Sequence, residues 1–294
     1  MTLASDRSEL VLGTVQFGLA YGIAGQGGPV PEARIRAILE QAADAGIRRL
    51  DTAAAYGDIE ERLAGLCAGL DLRIGTKIGP RPPDLTGSAV LDWTGLQILR
   101  SRDRLGDRLE RFLWHRAEDL KGPEGADVVA LAAELLGPGV HLGVSHYAPG
   151  DIAALSHLPL AAVQVPGNVF DRRFAGQTNG QVTDVRSVFL QGLLVGPRGA
   201  MQAKLPHAAP ALARWHAWLD STGLEAPTAA IGAARALFPG AGLVIGVETP
   251  EQLSQTLAAW AEAPRMPPDH LAVDDDRVIR PDLWPDPTEG TSAS

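Results

Sequence analysis

The chain has 294 residues, 45% of them hydrophobic, and a formal net charge of −9. That is enough apolar residue for one large core, and the acidic balance argues against nucleic acid or an anionic membrane surface as partner, since either needs a basic face. The single cysteine excludes an intrachain disulfide framework and fits a reducing compartment.

Met1 to Glu9 carries acids early and no basic stretch leading into an apolar one, so no signal peptide is expected. No apolar run approaches the ~20 residues of a spanning helix, and a cytoplasmic location is expected. Short apolar runs then alternate with Ala- and Leu-rich stretches of helical period. Strand Leu10–Val15 precedes helix Pro31–Ala45, and strand Ile47–Asp51 precedes helix Ile59–Leu70, where Cys67 sits among Leu63, Leu66 and Leu70 as a buried small residue. Strand Leu72–Lys77 leads through the proline-rich loop Gly79–Gly87 to helix Ala89–Arg108. Strand Arg111–His115 precedes helix Ala126–Leu136, Val140–Val144 precedes Pro149–His157, and Ala161–Val165 precedes Asp171–Asn179. Strand Val182–Phe189 is followed by helices Ala209–Thr222 and Ala226–Leu237, and strand Gly242–Gly246 by helix Pro250–Ala261. Pro31 and Pro250 suit a first helical turn, with Thr249 as an N-cap and Glu251 complementing the helix dipole.

Alternation of this kind implies parallel strands with right-handed crossovers. Eight units favour an α/β fold closed as a (β/α)8 TIM barrel over an open doubly wound sheet. Gly13-Thr14-Val15-Gln16-Phe17-Gly18 lacks the G-x-G-x-x-G spacing of a Rossmann turn, and there is no P-loop pattern. The reading is a single domain over residues 1–287. Beyond Pro264 the composition turns to Pro and Asp, but Val278, Ile279, Leu283 and Trp284 mark a C-terminal tail packed on the barrel. Residues 288–294 are expected to be disordered.

Functional groups of such barrels sit at the C-terminal ends of the strands. Asp51, Lys77 and His115 end the second, third and fourth expected strands, and Tyr56 follows in the loop after the second. Together they suit protonation of a carbonyl oxygen while a hydride reaches its carbon. A tyrosine, with an ordinary pKa near 10, is a weak acid at neutrality. A nearby ammonium is expected to lower that pKa, with Asp51 keeping Lys77 charged and His115 orienting the substrate oxygen. Taken singly, each has a bland reading: Asp51 as a strand-end hydrogen bonder, Tyr56-Gly57 as a turn, Lys77 as a rim charge, and His115, beside Arg116, Glu118 and Asp119, as part of a solvated loop. Their joint order at successive strand ends favours function. No metal site is expected, because the seven histidines show no H-x-x-x-H or H-x-H spacing. Gly143-Val144-Ser145-His146 is not a G-x-S-x-G nucleophile elbow.

From Leu12 to about Trp284 the chain resembles the aldo-keto reductase superfamily. The resemblance rests on Gly13–Gly18, Asp51 with Tyr56-Gly57, Thr76-Lys77, Leu113-Trp114-His115, Gly143-Val144-Ser145, Val163-Gln164, Gln191-Gly192-Leu193-Leu194 and Ile245-Gly246-Val247. It implies an NAD(P)-dependent oxidoreductase acting on a small-molecule aldehyde, ketone or sugar carbonyl, with Tyr56 as proton donor. A nicotinamide cofactor would lie across the barrel mouth. Ser145 and Gln164 would hold its carboxamide, Ser187 and Gln191-Gly192-Leu193 its pyrophosphate, and Gly246, Thr249 and Gln252 its adenosine end, with Thr14 and Asp51 as further contacts. Three departures stand out. Arg186, counted among the cofactor contacts, replaces the aromatic residue that stacks on the nicotinamide, a place where a guanidinium plane can also stack or meet an anion, and His146 replaces a common asparagine. Glu248 and Glu251 stand where NADPH would want a cation, and Thr256 nearby replaces a frequent asparagine, so both NADH and NADPH stay open. The strings Leu19–Ala24, Val169–Arg173 and Arg186-Ser187-Val188-Phe189-Leu190-Gln191-Gly192 resemble a bacterial subgroup linked to sugar and surface-polysaccharide metabolism. Asn168, Arg172 and Arg186 would suit a hydroxylated or anionic substrate, or serve as loop residues. The competing readings are a non-reductase binding or regulatory module, and lyase or epimerase chemistry through transient oxidation. The sequence carries no sign of oligomeric state.

Overall fold

A computed structural model describes residues 8–23, 28–177 and 184–284. Eight parallel strands close into one barrel in sequence order: β1 (Glu9–Gly13), β2 (Arg49–Asp51), β3 (Arg73–Ile78), β4 (Leu109–Trp114), β5 (His141–Ser145), β6 (Ala162–Pro166), β7 (Asp184–Arg186) and β8 (Gly242–Gly246). β8 pairs back onto β1. The helices are α1 (Val15–Gly18), α2 (Glu32–Asp44), α3 (Ile59–Leu66), α4 (Ser88–Leu105), α5 (Gly125–Leu136), α6 (Pro149–Ala154), α7 (Arg198–Lys204), α8 (Ala209–Thr222), α9 (Ala226–Leu237), α10 (Pro250–Ala261) and α11 (Asp276–Ile279). The expected (β/α)8 TIM barrel is the fold.

Local chemistry explains the element ends. α2 buries Ile35, Ile38, Leu39 and Ala42, the one-sided spacing of an amphipathic helix. Pro31 stands one residue earlier than expected, as the extended N-cap of α2. Thr249 caps α10 as expected, its hydroxyl accepting from the Gln252 N–H at 3.2 Å. Cys67 is buried in the core.

Several expectations need correction. The first strand ends at Gly13, because the chain turns at once into the short α1. β3 and β4 end at Ile78 and Trp114, so Lys77 is the penultimate residue of its strand and His115 the first beyond its own. The helix expected over Asp171–Asn179 is a set of turns through Gln177, and Thr178 and Asn179 lie outside the described residues. Asn168 Oδ1 accepts from the N–H groups of Phe170 and Asp171 at 2.8 and 3.0 Å, a local bonding pattern that competes with a helix. The strand expected over Val182–Phe189 is confined to Asp184–Arg186; Val182 and Thr183 lie outside the described residues, and Ser187 takes φ 62°, which breaks the extended run. α7 was not anticipated. In the tail, Val278 and Ile279 are buried and Trp284 packs against the same cluster, but Leu283 is 51% exposed. The part of the expected tail from residue 285 to 287 and the disorder expected at 288–294 fall outside the described residues, as does the chain before Ser8.

Among the described residues the core has three bodies, one between the strands and α2, α3, α9 and α10, a second under α8, α9 and the tail, and a third where β3, β4 and β5 meet α4 and α5. In the second, Trp215 is fully buried, meets Trp218 at 5.4 Å between ring centroids, and donates its indole N–H to the Leu194 carbonyl at 3.0 Å. No helix among the described residues is long and apolar enough to cross a membrane.

The barrel interior is charged at its lower, N-terminal end. Arg49 of β2 reaches both carboxylate oxygens of Asp184 on β7, at 2.9 and 2.8 Å, and Arg111 of β4 meets the same carboxylate at 2.7 Å. β7 neighbours only β6 and β8, so these bonds cross the barrel. Glu9 and Glu110 also pair with Arg49.

Candidate active site

Residues two apart on a strand face the same way, so Asp51 and Arg186 face the interior as Arg49 and Asp184 do, one layer higher. At that level Lys77 Nζ donates to Asp51 Oδ1 at 2.8 Å, Asp51 Oδ2 at 2.7 Å and the Thr52 carbonyl at 2.8 Å. An ammonium has three N–H donors, and all of them are committed. Gln164 Nε2 of β6 donates to Asp51 Oδ1 at 2.8 Å across the barrel, and Ser145 Oγ meets Gln164 Oε1 at 3.3 Å.

Tyr56 is set by a close approach of the end of α1 to the loop after β2. A Cβ on Gly18 would lie 1.9 Å from the Tyr56 carbonyl oxygen, and Gly57, at φ 64°, leads the chain on to α3. The Tyr56 ring stands edge-on to His115, centroids 6.4 Å apart, and its centroid is 5.5 Å from Lys77 Nζ. Burial, and then the Asp51 carboxylate, push the Tyr56 phenol above its ordinary range, while Arg186 pulls the other way. The expected lowering by Lys77 is therefore not found. The lysine's three N–H groups all go to Asp51 and Thr52, and the carboxylate offsets its charge. Burial, Lys77 and Arg186 hold His115 down to about 4, so its imidazole is neutral at neutral pH. His115 Nδ1 is buried without a partner among the described residues.

These groups open onto a cavity of about 590 Å³ at the C-terminal end of the barrel. Thr14, Asp51, Tyr56, Lys77, His115, Arg186, Ser187, Gln191, Gly192, Gly246 and Gln252 line it. Four other sequence candidates do not. Ser145 and Gln164 are buried behind Asp51, Leu193 is in the hydrophobic core, and Thr249 caps α10. Asn168 and Arg172 hold loops: Asn168 Nδ2 donates to the Ser187 carbonyl at 3.1 Å, and Arg172 Nη2 to the Pro268 carbonyl at 2.7 Å. Glu248 lines the far end, where its backbone N–H orients Gln252 through a 2.7 Å bond to Oε1.

Sequence reasoning passed over Tyr21, Tyr147, Arg173 and the tail residues Ile279 to Asp282, all of which line the cavity. Tyr147 had a readable signal, since it lies just beyond a strand end. The tail residues had none, because their place depends on how Val278 and Ile279 seat in the core.

A family model described as the aldo/keto reductase family matches residues 9–271. No curated protein matches the chain. Among solved structures, an aldo-keto reductase from Bacillus halodurans in its holo form is similar with a TM-score of 0.66 at 18% identity, over 88% of this chain and 88% of that one. A Pseudomonas aeruginosa protein described as an aldo-keto reductase is similar with a TM-score of 0.62 at 21% identity, over 86% of this chain and 90% of that one.

Proposed function

The chain belongs to the aldo/keto reductase family, and from that premise we propose that it is an NAD(P)-dependent oxidoreductase reducing an aldehyde, ketone or sugar carbonyl, with Tyr56 as proton donor. The observation that carries this reading is the convergence of Asp51, Tyr56, Lys77 and His115 on one cavity. A reduced nicotinamide bound there would supply the hydride.

The cavity fits a dinucleotide. Its volume of about 590 Å³ suits a cofactor-sized ligand, and its lining runs from Tyr56 to Glu248 and Gln252. The rim after β7 holds Ser187, Leu190 and Gln191 at positive φ, the kind of backbone strain that collects at ligand sites. Gln16 Oε1, also in the lining, is buried without a partner among the described residues. Thr14, Ser187, Gln191, Gly192, Gly246 and Gln252 would hold the cofactor, and Glu248 favours the unphosphorylated ribose of NADH. Ser145 and Gln164 would act through Asp51, by fixing its carboxylate.

Tyr56 gives its phenolic proton to the carbonyl oxygen as that oxygen gains charge. Neutral His115 donates a hydrogen bond to the same oxygen and orients it. Lys77 pins the Asp51 carboxylate in place, and Arg186 is the cation that favours the phenolate left behind.

The test is titration of the purified protein with NADH and NADPH, followed by quenching of its six tryptophans, and then a carbonyl and sugar screen monitoring cofactor oxidation. Saturable binding with turnover is expected. Binding without turnover of any carbonyl would favour a binding module, and substrate conversion without net cofactor use would favour lyase or epimerase chemistry. Absence of binding to either cofactor would overturn the proposal.

A further inference from the structure

The cations lining the cavity are Lys77, Arg173, Arg186 and Arg280. Lys77 is neutralised by Asp51 at 2.7 Å, Arg173 by Asp171 at 2.8 Å and Arg280 by Asp282 at 2.7 Å. Arg186 differs. Nε donates to Ser145 Oγ at 3.2 Å, Nη1 to Ser187 Oγ at 3.5 Å and Nη2 to the His146 carbonyl at 3.2 Å. Its Cζ stacks 4.2 Å from the centroid of the Tyr147 ring. All these partners are uncharged, and among the described residues no carboxylate reaches it.

A guanidinium has five N–H donors. Three are used, at long distances, which leaves one on each terminal nitrogen. Tyr147 fixes the plane of the group, so those two donors are pre-oriented. A partly buried cation without a counter-charge is costly, and an arriving anion removes that cost. The field of Arg186 reaches the reacting centre, since it opposes ionisation of His115 and favours that of Tyr56.

We propose that Arg186 is the specificity-determining residue for a carboxylate-bearing carbonyl substrate, an oxo acid or aldehyde acid whose carboxylate rests on the free donors of Arg186 while its C=O lies at Tyr56 and His115. The proposal rests on the reductase reading above. Two remaining donors match the two oxygens of a planar carboxylate.

The test compares the ortho, meta and para carboxybenzaldehydes with their methyl esters, as kcat/KM for each pair. The wild-type protein should prefer the acid of the best pair by at least ~10-fold, the usual worth of a charge-assisted hydrogen bond. Arg186→Leu should bring that ratio to about one, and Arg186→Lys should keep part of it. The ratio cancels any effect that the two substrates share. A wild-type ratio near one, or a ratio unmoved by Arg186→Leu, overturns the proposal. If Arg186 instead serves the phosphates of the cofactor, Arg186→Leu weakens cofactor binding and leaves the ratio unchanged. Benzoate and benzamide binding, read by tryptophan quenching on the wild-type protein, gives a measure free of variants. Benzoate binding at least ~10-fold tighter is expected, and equal binding overturns the proposal. Failure to reduce any aldehyde would sink the reductase reading alone, and loss of the benzoate preference in Arg186→Leu, or its persistence there, would still decide the role of Arg186.

Discussion

Two charged layers lie inside one barrel, and the same strands build both. β2 supplies Arg49 to the lower layer and Asp51 to the upper, and β7 supplies Asp184 and Arg186. In the lower layer one carboxylate serves two arginines, and Glu9 and Glu110 add further counter-charge to Arg49. In the upper layer Lys77 and Asp51 satisfy each other, but His115 Nδ1 has no described partner, and Arg186 meets only neutral groups. Burying charge is thus common to both layers of this barrel. The lower layer is neutralised by carboxylates, although among the described residues Arg111 Nε makes no hydrogen bond there, whereas the upper layer keeps a cation without a counter-charge beside an open cavity.

The comparison breaks first at Tyr56. Under the proposed function Tyr56→Phe removes the donated proton, so kcat/KM for carbonyl reduction should fall by ~10²–10⁴-fold. Cofactor binding by tryptophan quenching should change little, and retained turnover would reject Tyr56 as the acid. In the lower layer, Asp184→Asn should act on stability instead. It leaves buried Arg49 and part-buried Arg111 around a neutral amide with Glu9 and Glu110 as the remaining counter-charge, a change that costs up to about 3–5 kcal/mol. Urea unfolding would measure it, and a loss under ~1 kcal/mol would mean that the layer does not hold the barrel.

A smaller effect comes from acid. Burial holds His115 and His146 down to about 4, against an ordinary value of 6.5. Between those values the unfolded chain binds protons that the folded chain refuses, so stability is lost as pH falls from about 6.5 towards 4. His146→Asn should remove part of that slope in unfolding midpoints measured across the window. An unchanged slope would show that His146 is charged, or well solvated, in the folded protein.

Legibility in the sequence followed the range of the interactions. The barrel and its helices were readable because apolar period and turn residues are local, and Asp51, Lys77 and His115 were readable because each sits at or next to a strand end. The lower layer was hidden, although its members stand at interior-facing positions of strands already assigned. Arg49 and Asp184 are 135 residues apart, and nothing local marks them as partners. The early end of β7 depends on the positive φ of Ser187, which its β-branched and aromatic neighbours Val185, Val188 and Phe189 conceal. The state of Tyr56 was misjudged for a related reason. The sequence places a lysine near the phenol, but only geometry reveals that all three lysine donors go to Asp51 and Thr52.

The mildest test lies at the far end of the cavity, away from both layers. Glu248→Lys replaces an acid by a base where a 2′-phosphate would approach, and should raise affinity for NADPH relative to NADH by ~10-fold, the order expected of a partly solvated charge contact. The change is confined to the side chain. Gln252 is oriented by the backbone N–H of residue 248, and Thr249 caps α10 through Gln252, so neither depends on the carboxylate. Glu248→Gln removes the charge alone and should fall between the two, giving a monotonic order in Kd ratios from tryptophan quenching. Unfolding midpoints should not move, because the lower layer is untouched, and neither should the carboxylate preference set at Arg186. A flat or non-monotonic order would mean that Glu248 does not face the ribose, and that cofactor choice is made by other residues of the cavity wall.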